Sequence, residues 1–227
     1  MKFVKEIFTY INLAKVSLLI IISVGTFSCS AKNTPPSRVH RSPMNRSIGQ
    51  DTKPIQVKAI ALDIPEGHKF GRIGMGVLCI PMTDVKAIGG KARVSEKDFT
   101  EVVRAELTQA NFNIIARESD DIDYTNIQDE LVLKGIVKEL KANLCFPKSG
   151  FRSWKISKGE AYVKILWQVH SKAGDKILFE KITEGSEKLK EAMAYGSSKV
   201  ILASVAVATQ NLIADKQFNL VVTNTNN

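Results

Sequence analysis

The side chains of this 227-residue chain that could do chemistry are few and scattered. His40 sits in a proline-rich stretch, His68 in a turn, and His170 on the polar side of an expected strand. A zinc site needs three or four such ligands to converge, and their spacing brings none together, so all three read as surface side chains. Glu118, Asp120, Asp121 and Asp123 are crowded enough to suggest calcium, but the glycine and the bidentate glutamate of an EF-hand loop are missing. A solvated acidic loop is expected. Gly71, Gly74 and Gly76 do not match a dinucleotide fingerprint and precede no helix start, which leaves close strand packing or a bend. Cys79 or Cys145 would need a histidine base to act as a nucleophile. Each lies in an apolar run stopped by a proline, Val77-Leu78-Cys79-Ile80-Pro81 and Asn143-Leu144-Cys145-Phe146-Pro147, which suggests burial. No catalytic residue, cofactor or metal is expected.

Recognition chemistry is concentrated in one segment, residues 144–159. It mixes Phe146, Phe151 and Trp154 with Lys148, Arg152, Lys155 and Lys158, and aromatic anchors beside cations are typical of interface hot spots. Phe146, Phe151, Arg152, Trp154 and Lys155 are the candidate partner-binding residues. The other reading is a long hairpin loop whose aromatics fold back on the core.

The elements that would position these residues follow from periodicity. Residues 55–62 alternate loosely and predict a first strand; 73–80 form an apolar, glycine-bearing run that Pro81 would end. Ser95-Glu96-Lys97-Asp98 has the form of a capping box, and Phe99, Val102, Val103, Leu107 and Ala110 follow at helical spacing. Asn111 can take the left-handed conformation that ends a helix, before a short strand over 112–116. A long strand is expected over 131–144. Between 161 and 170, Ala161, Val163, Ile165, Trp167 and Val169 alternate with Tyr162, Lys164, Gln168 and His170, so one face is buried and the other wet. A turn at 173–175 leads into a strand over 176–183, making an antiparallel hairpin. A helix from Ala192 or Gly196 to Asp215 closes the chain; it is too short in its apolar part to span a bilayer. This order predicts one α+β domain over 55–222, an antiparallel or mixed sheet of five to six strands with two main helices packed on it, and a disordered tail over 223–227.

Residues 1–28 read as a signal peptide: lysines, an uncharged apolar run over 16–27, then Ser28-Cys29. The run is shorter than the roughly 20 residues a permanent span needs. Ser28-Cys29 resembles the lipobox of bacterial lipoproteins, although Thr26 and Phe27 depart from it. The resemblance implies that Cys29 is lipidated and becomes the first mature residue. An ordinary secretory signal cut near Ser28 or Ala31 is the alternative. Residues 29–54 then form the lipidated cysteine and a disordered tether, rich in Ser, Pro, Asn and Arg. With Cys29 lipidated, Cys79 and Cys145 remain as a possible disulfide pair, closing a loop of about 67 residues that would stabilise the fold by roughly 4 kcal/mol; two buried free thiols are the other reading. Cleavage takes three lysines and one glutamate from the net charge of +9, leaving 29 basic against 22 acidic residues, or +7. That suits anionic lipid, glycan or an acidic protein. No spacing supports nucleic-acid binding.

The passage Phe99-Thr-Glu-Val-Val-Arg-Ala-Glu-Leu-Thr-Gln-Ala-Asn-Phe-Asn-Ile-Ile115 resembles the helix-to-strand step of YajG-type outer-membrane lipoproteins. Gly174-Asp175-Lys176, Glu184-Gly185 and Leu212-Ile213-Ala214-Asp215 follow in the same order, and a wider resemblance runs to small α/β domains of envelope lipoproteins. It implies a non-catalytic structural or adaptor subunit of a cell-envelope complex, a secretion-channel core or lipid-transport assembly. Its partners would be the outer membrane, through the lipid, and protein subunits on the periplasmic face. An accessory or enzyme acting on envelope glycan or protein, a periplasmic ligand carrier, and a soluble periplasmic or secreted location are the alternatives.

Overall fold

A computed structural model describes residues 52–86, 94–115, 130–148, 155–172 and 176–223. In chain order the elements are β1 (Ile55–Val57), β2 (Ala61–Leu62), β3 (Lys69–Met75), β4 (Ile80–Lys86), α1 (Glu96–Gln109), β5 (Ile114–Ile115), β6 (Leu131–Phe146), β7 (Ile156–Ser171), β8 (Ile177–Ala194), α2 (Gly196–Ile213) and α3 (Lys216–Val222). The eight strands make one mixed sheet, and the class is α+β. The long strands β6, β7 and β8 form an antiparallel meander, while β1, β2 and β3 run one after another parallel to β6 along its other side. β4 pairs back onto β3 and β5 onto β1.

The helices cover one face. Ala161, Val163, Ile165, Trp167 and Val169 are each 0 % exposed, so the strict alternation of β7 does what period-two patterning requires. α2 packs on β7 and β8, and α1 packs on α2. The approach is close enough to demand glycine at 185, where a Cβ would come within 2.0 Å of the Ser204 carbonyl oxygen. Polar groups trapped in this interface are joined in series. Trp167 Nε1–H donates to Thr183 Oγ1 at 2.7 Å, and the Thr183 hydroxyl donates to the Ala208 carbonyl at 2.8 Å. Leaving the buried indole N–H unpaired would cost about 1–3 kcal/mol.

α1 starts at the expected capping box. The Asp98 N–H donates to Ser95 Oγ at 3.3 Å and the Ser95 N–H to Asp98 Oδ2 at 2.7 Å. Phe99, Val103 and Leu107 are buried, and Asn111 adopts φ +65° where the helix ends.

Several expectations are corrected. The described residues form eight strands and three helices, because the first expected strand is two pieces, the second gives way to a hairpin whose other arm is β4, and a seven-residue helix is too short to show a period. The strand expected over 55–62 is two pieces. Val57 faces Leu133 and Ala61 faces Ile136, so one extra residue bulges out between them, and the Ile60 N–H donates to Thr100 Oγ1 at 3.0 Å instead of to the ladder. The strand expected over 73–80 ends at Met75. Gly76 takes φ +74° and Cys79 φ +52°, turning the chain so that Pro81 lies inside β4, an edge strand where its missing N–H is tolerated. His170 and Tyr162, expected on a wet face, are 7 % and 3 % exposed. Val132 and Ile177 flank His170 across the sheet, and Lys141 lies over the Tyr162 ring with its nitrogen 5.7 Å from the centroid, a long stem covering an apolar surface. α3 was unforeseen. Asp215 caps it by accepting from the Phe218 N–H at 2.9 Å, and Phe218 packs between Phe112 and Phe179 at 5.7 Å from each.

Among the described residues no single helix is long and apolar enough to cross a membrane; α2 and α3 meet the criterion only together, as a pair bent by 73°. The signal segment, Cys29, the tether to residue 51, the acidic loop 118–123, the turn 173–175 and residues 224–227 lie outside the described residues.

Candidate functional site: a braced apolar hairpin and the cavity behind it

Three pairs of element ends meet at one end of the sheet. There β3 ends and β4 begins, β6 ends and β7 begins, and β8 hands over to α2. Met75 lies opposite Phe146, Cys145 opposite Lys158, and Ile156 opposite Ala194. Thr52, where the described chain enters, bridges to Thr223, while the Leu131 N–H donates to the Pro54 carbonyl. That places the entry at the other end of β6, whose 16 residues span about 50 Å.

The hairpin of β3 and β4 projects four large apolar side chains into solvent: Val77 and Leu78 at 83 % exposure, Met82 at 65 % and Ile80 at 58 %. Single exposed apolar residues need no explanation, but four within six residues do. The hairpin is braced. Cys79 is disulfide-bonded to Cys145 on β6 with their Cα atoms 5.3 Å apart, inside the usual range, and the Gly76 N–H donates to the Phe146 carbonyl at 3.0 Å. Exposed Tyr195 and Met193 share this end of the molecule with the cations Lys148 and Lys155.

Behind the hairpin lies a cavity of about 210 Å³. Phe70, Ile73 and Val85 from the hairpin, Phe99 from α1, Leu140 from β6 and Ile201 from α2 form its main walls. Asp84 and Lys86, both exposed, stand on the β4 wall, where the cavity meets solvent. A sealed void of this size would cost about 5 kcal/mol, comparable with the net stability of a whole domain. Asp84 is 2.7 Å from the Lys69 ammonium, whose hydrogen bond, against some desolvation, holds the carboxyl below its ordinary value; the charges of Lys69, Arg72 and Lys86 act in the same direction. One carboxylate thus stands among three cations.

The structure brings Cys79 and Cys145 together as a disulfide. It places Phe146, expected as a partner contact, at 2 % exposure, because the last residues of β6 still face the core; this residue is corrected from interface to core. Lys155 is exposed. Phe151, Arg152 and Trp154 lie outside the described residues, though their described flanks, Lys148 and Lys155, are at the hairpin's end of the sheet. His68 is exposed. His170 Nε2 lies 3.4 Å from Gln168 Oε1, and no three potential metal ligands cluster among the described residues. Sequence reasoning missed Val77, Leu78 and Ile80 by placing them in a strand over 73–80, and Met82 by leaving it beyond the end of that strand. The usable signal was Pro81, which cannot donate in a central strand and so marks an edge.

No family model and no curated protein matches the chain. Solved structures of similar fold include a Xanthomonas campestris protein of the DUF330 family, at 12 % identity over 82 % of this chain and 93 % of that one with a TM-score of 0.46. Others are a minor lipoprotein from Acinetobacter baumannii, at 12 % identity over 74 % and 95 % with 0.36, and the PelC dodecamer from Paraburkholderia phytofirmans, at 13 % over 76 % and 94 % with 0.36. Likenesses this distant carry no argument about function.

Proposed function

We propose that the chain is a non-catalytic, lipid-anchored subunit or adaptor of a bacterial cell-envelope assembly, held at the periplasmic face of the outer membrane through Cys29. The YajG-type resemblance implies a secretion-channel or lipid-transport assembly. The observation that carries the adaptor reading is the β3–β4 hairpin: four exposed apolar side chains, braced by a disulfide, at the end of the sheet remote from Thr52. Bracing lowers the ordering cost of binding, and an edge strand such as β4, paired on one side only among the described residues, offers backbone groups for added pairing. Phe151, Arg152, Trp154 and Lys155 are proposed to extend the same contact surface.

Recovery of partners from membranes under mild detergent separates anchor from contact. Leu78→Asp is expected to weaken partner capture about 30-fold, as loss of a hot spot worth 2 kcal/mol would, while the protein still melts normally and fractionates with the outer membrane. Cys29→Ser is expected to do the reverse, releasing a folded domain that still captures its partner. Unchanged partner recovery with Leu78→Asp and with Val77→Asp would remove the hairpin from the interface; wild type lacking any acyl mass would remove the anchor.

A further inference from the structure

The hairpin has two sides, and the inner one lines the cavity. We propose that the cavity it encloses is a binding site for the hydrocarbon chain of a single-chain anionic amphiphile, such as a fatty acid, with the head at the mouth beside Lys86. Size selects one chain. At about 210 Å³ the space exceeds the roughly 150 Å³ apolar cavity that takes up benzene, and falls short of the ~300–1,000 Å³ sites that hold drug-sized molecules. Wall chemistry selects the chain itself: away from Asp84 and Lys86 on the β4 wall, every lining residue but Ser197 is apolar, Phe70, Ile73, Val85, Phe99 and Ile201 among them. Charge selects the head. Asp84 is already engaged by Lys69, and Lys86 is the cation that lines the mouth. The mouth is also the adaptable wall, since β4 is paired to β3 on one side only among the described residues, while α1 and β6 hold the opposite walls in place.

The test uses the exported full chain carrying Cys29→Ser, so that no detergent competes, with decanoate and decanol as probes. Decanoate bearing a nitroxide at its chain end is expected to broaden the methyl resonances of Ile73, Val85 and Ile201 and to leave Ile182, exposed on the far face of the sheet, sharp. Val85→Trp, which fills the cavity, is expected to weaken decanoate binding at least tenfold. Lys86→Glu is expected to weaken decanoate about three- to fivefold, the value of an exposed ion pair, without changing decanol. Broadening confined to the hairpin tip or spread over the sheet overturns the site, as does wild-type affinity in a folded Val85→Trp. If Val85→Trp does not fold, the broadening pattern on the unsubstituted site decides alone. Equal losses for decanoate and decanol in Lys86→Glu overturn the anionic head.

Discussion

Asp98 shows how one side chain ties the start of a helix to pH. It accepts hydrogen bonds from the Ser95 backbone N–H and from the Ser95 hydroxyl, at 2.7 and 2.8 Å, and these, the backbone bond first, hold its carboxyl below the ordinary value. A carboxyl whose folded value is depressed contributes stability that is complete above its ordinary value and is lost as pH falls through the folded one. The melting temperature of the wild type is therefore expected to drop more steeply than that of Asp98→Asn between about pH 5 and pH 2; parallel curves would show that the box contributes nothing. This cap was legible because its partners are three residues apart and chemistry at that spacing is local. His170, Tyr162 and Phe146 were not, since their burial depends on strands and long lysine stems brought from elsewhere in the chain.

At the scale of elements, the disulfide is the joint between the hairpin and the meander. The two cysteines are separated by 66 residues, and a cross-link of that span stabilises by about 4 kcal/mol in the chain-entropy model. Cys79→Ser and Cys145→Ser are expected to lower the melting temperature about equally, and the double variant to cost little more than either, because both residues serve one bond. Strictly additive losses, or two reactive thiols in protein recovered from an oxidising compartment, would contradict this. Strong periods foretold the elements that carry them: α1, β6, β7 and most of α2. The hairpin escaped because Gly76 and Pro81 punctuate an unbroken apolar run, and apolar content alone does not say whether a run is covered. The cavity escaped for a related reason. It is made of gaps between six elements, β2, β3, β4, α1, β6 and α2, and no local pattern encodes a gap.

For the molecule as a whole, the α+β class followed from the order of helical and alternating segments, while the strand count did not, because the division of 55–62 into β1 and β2 and the turn that makes β4 are set by pairing with β6 and β3. That dependence is expressed in the pairings. Ile55 pairs with Leu131, Ala61 with Ile136 and Gly71 with Ala142, with all of α1 intervening. Such pairings must wait for loop closure, and a chain made or delivered from its N-terminus presents β1 to β4 long before β6 exists. Chains ending at residue 130 are accordingly expected to yield no protease-resistant fragment around the capped helix; a stable core in such a chain would show that the first half folds alone. The apolar run that becomes the hairpin is thus among the earliest parts to emerge and among the last to find its place. Throughout that interval it is exposed apolar chain, open to association with other chains until β6 arrives to receive it.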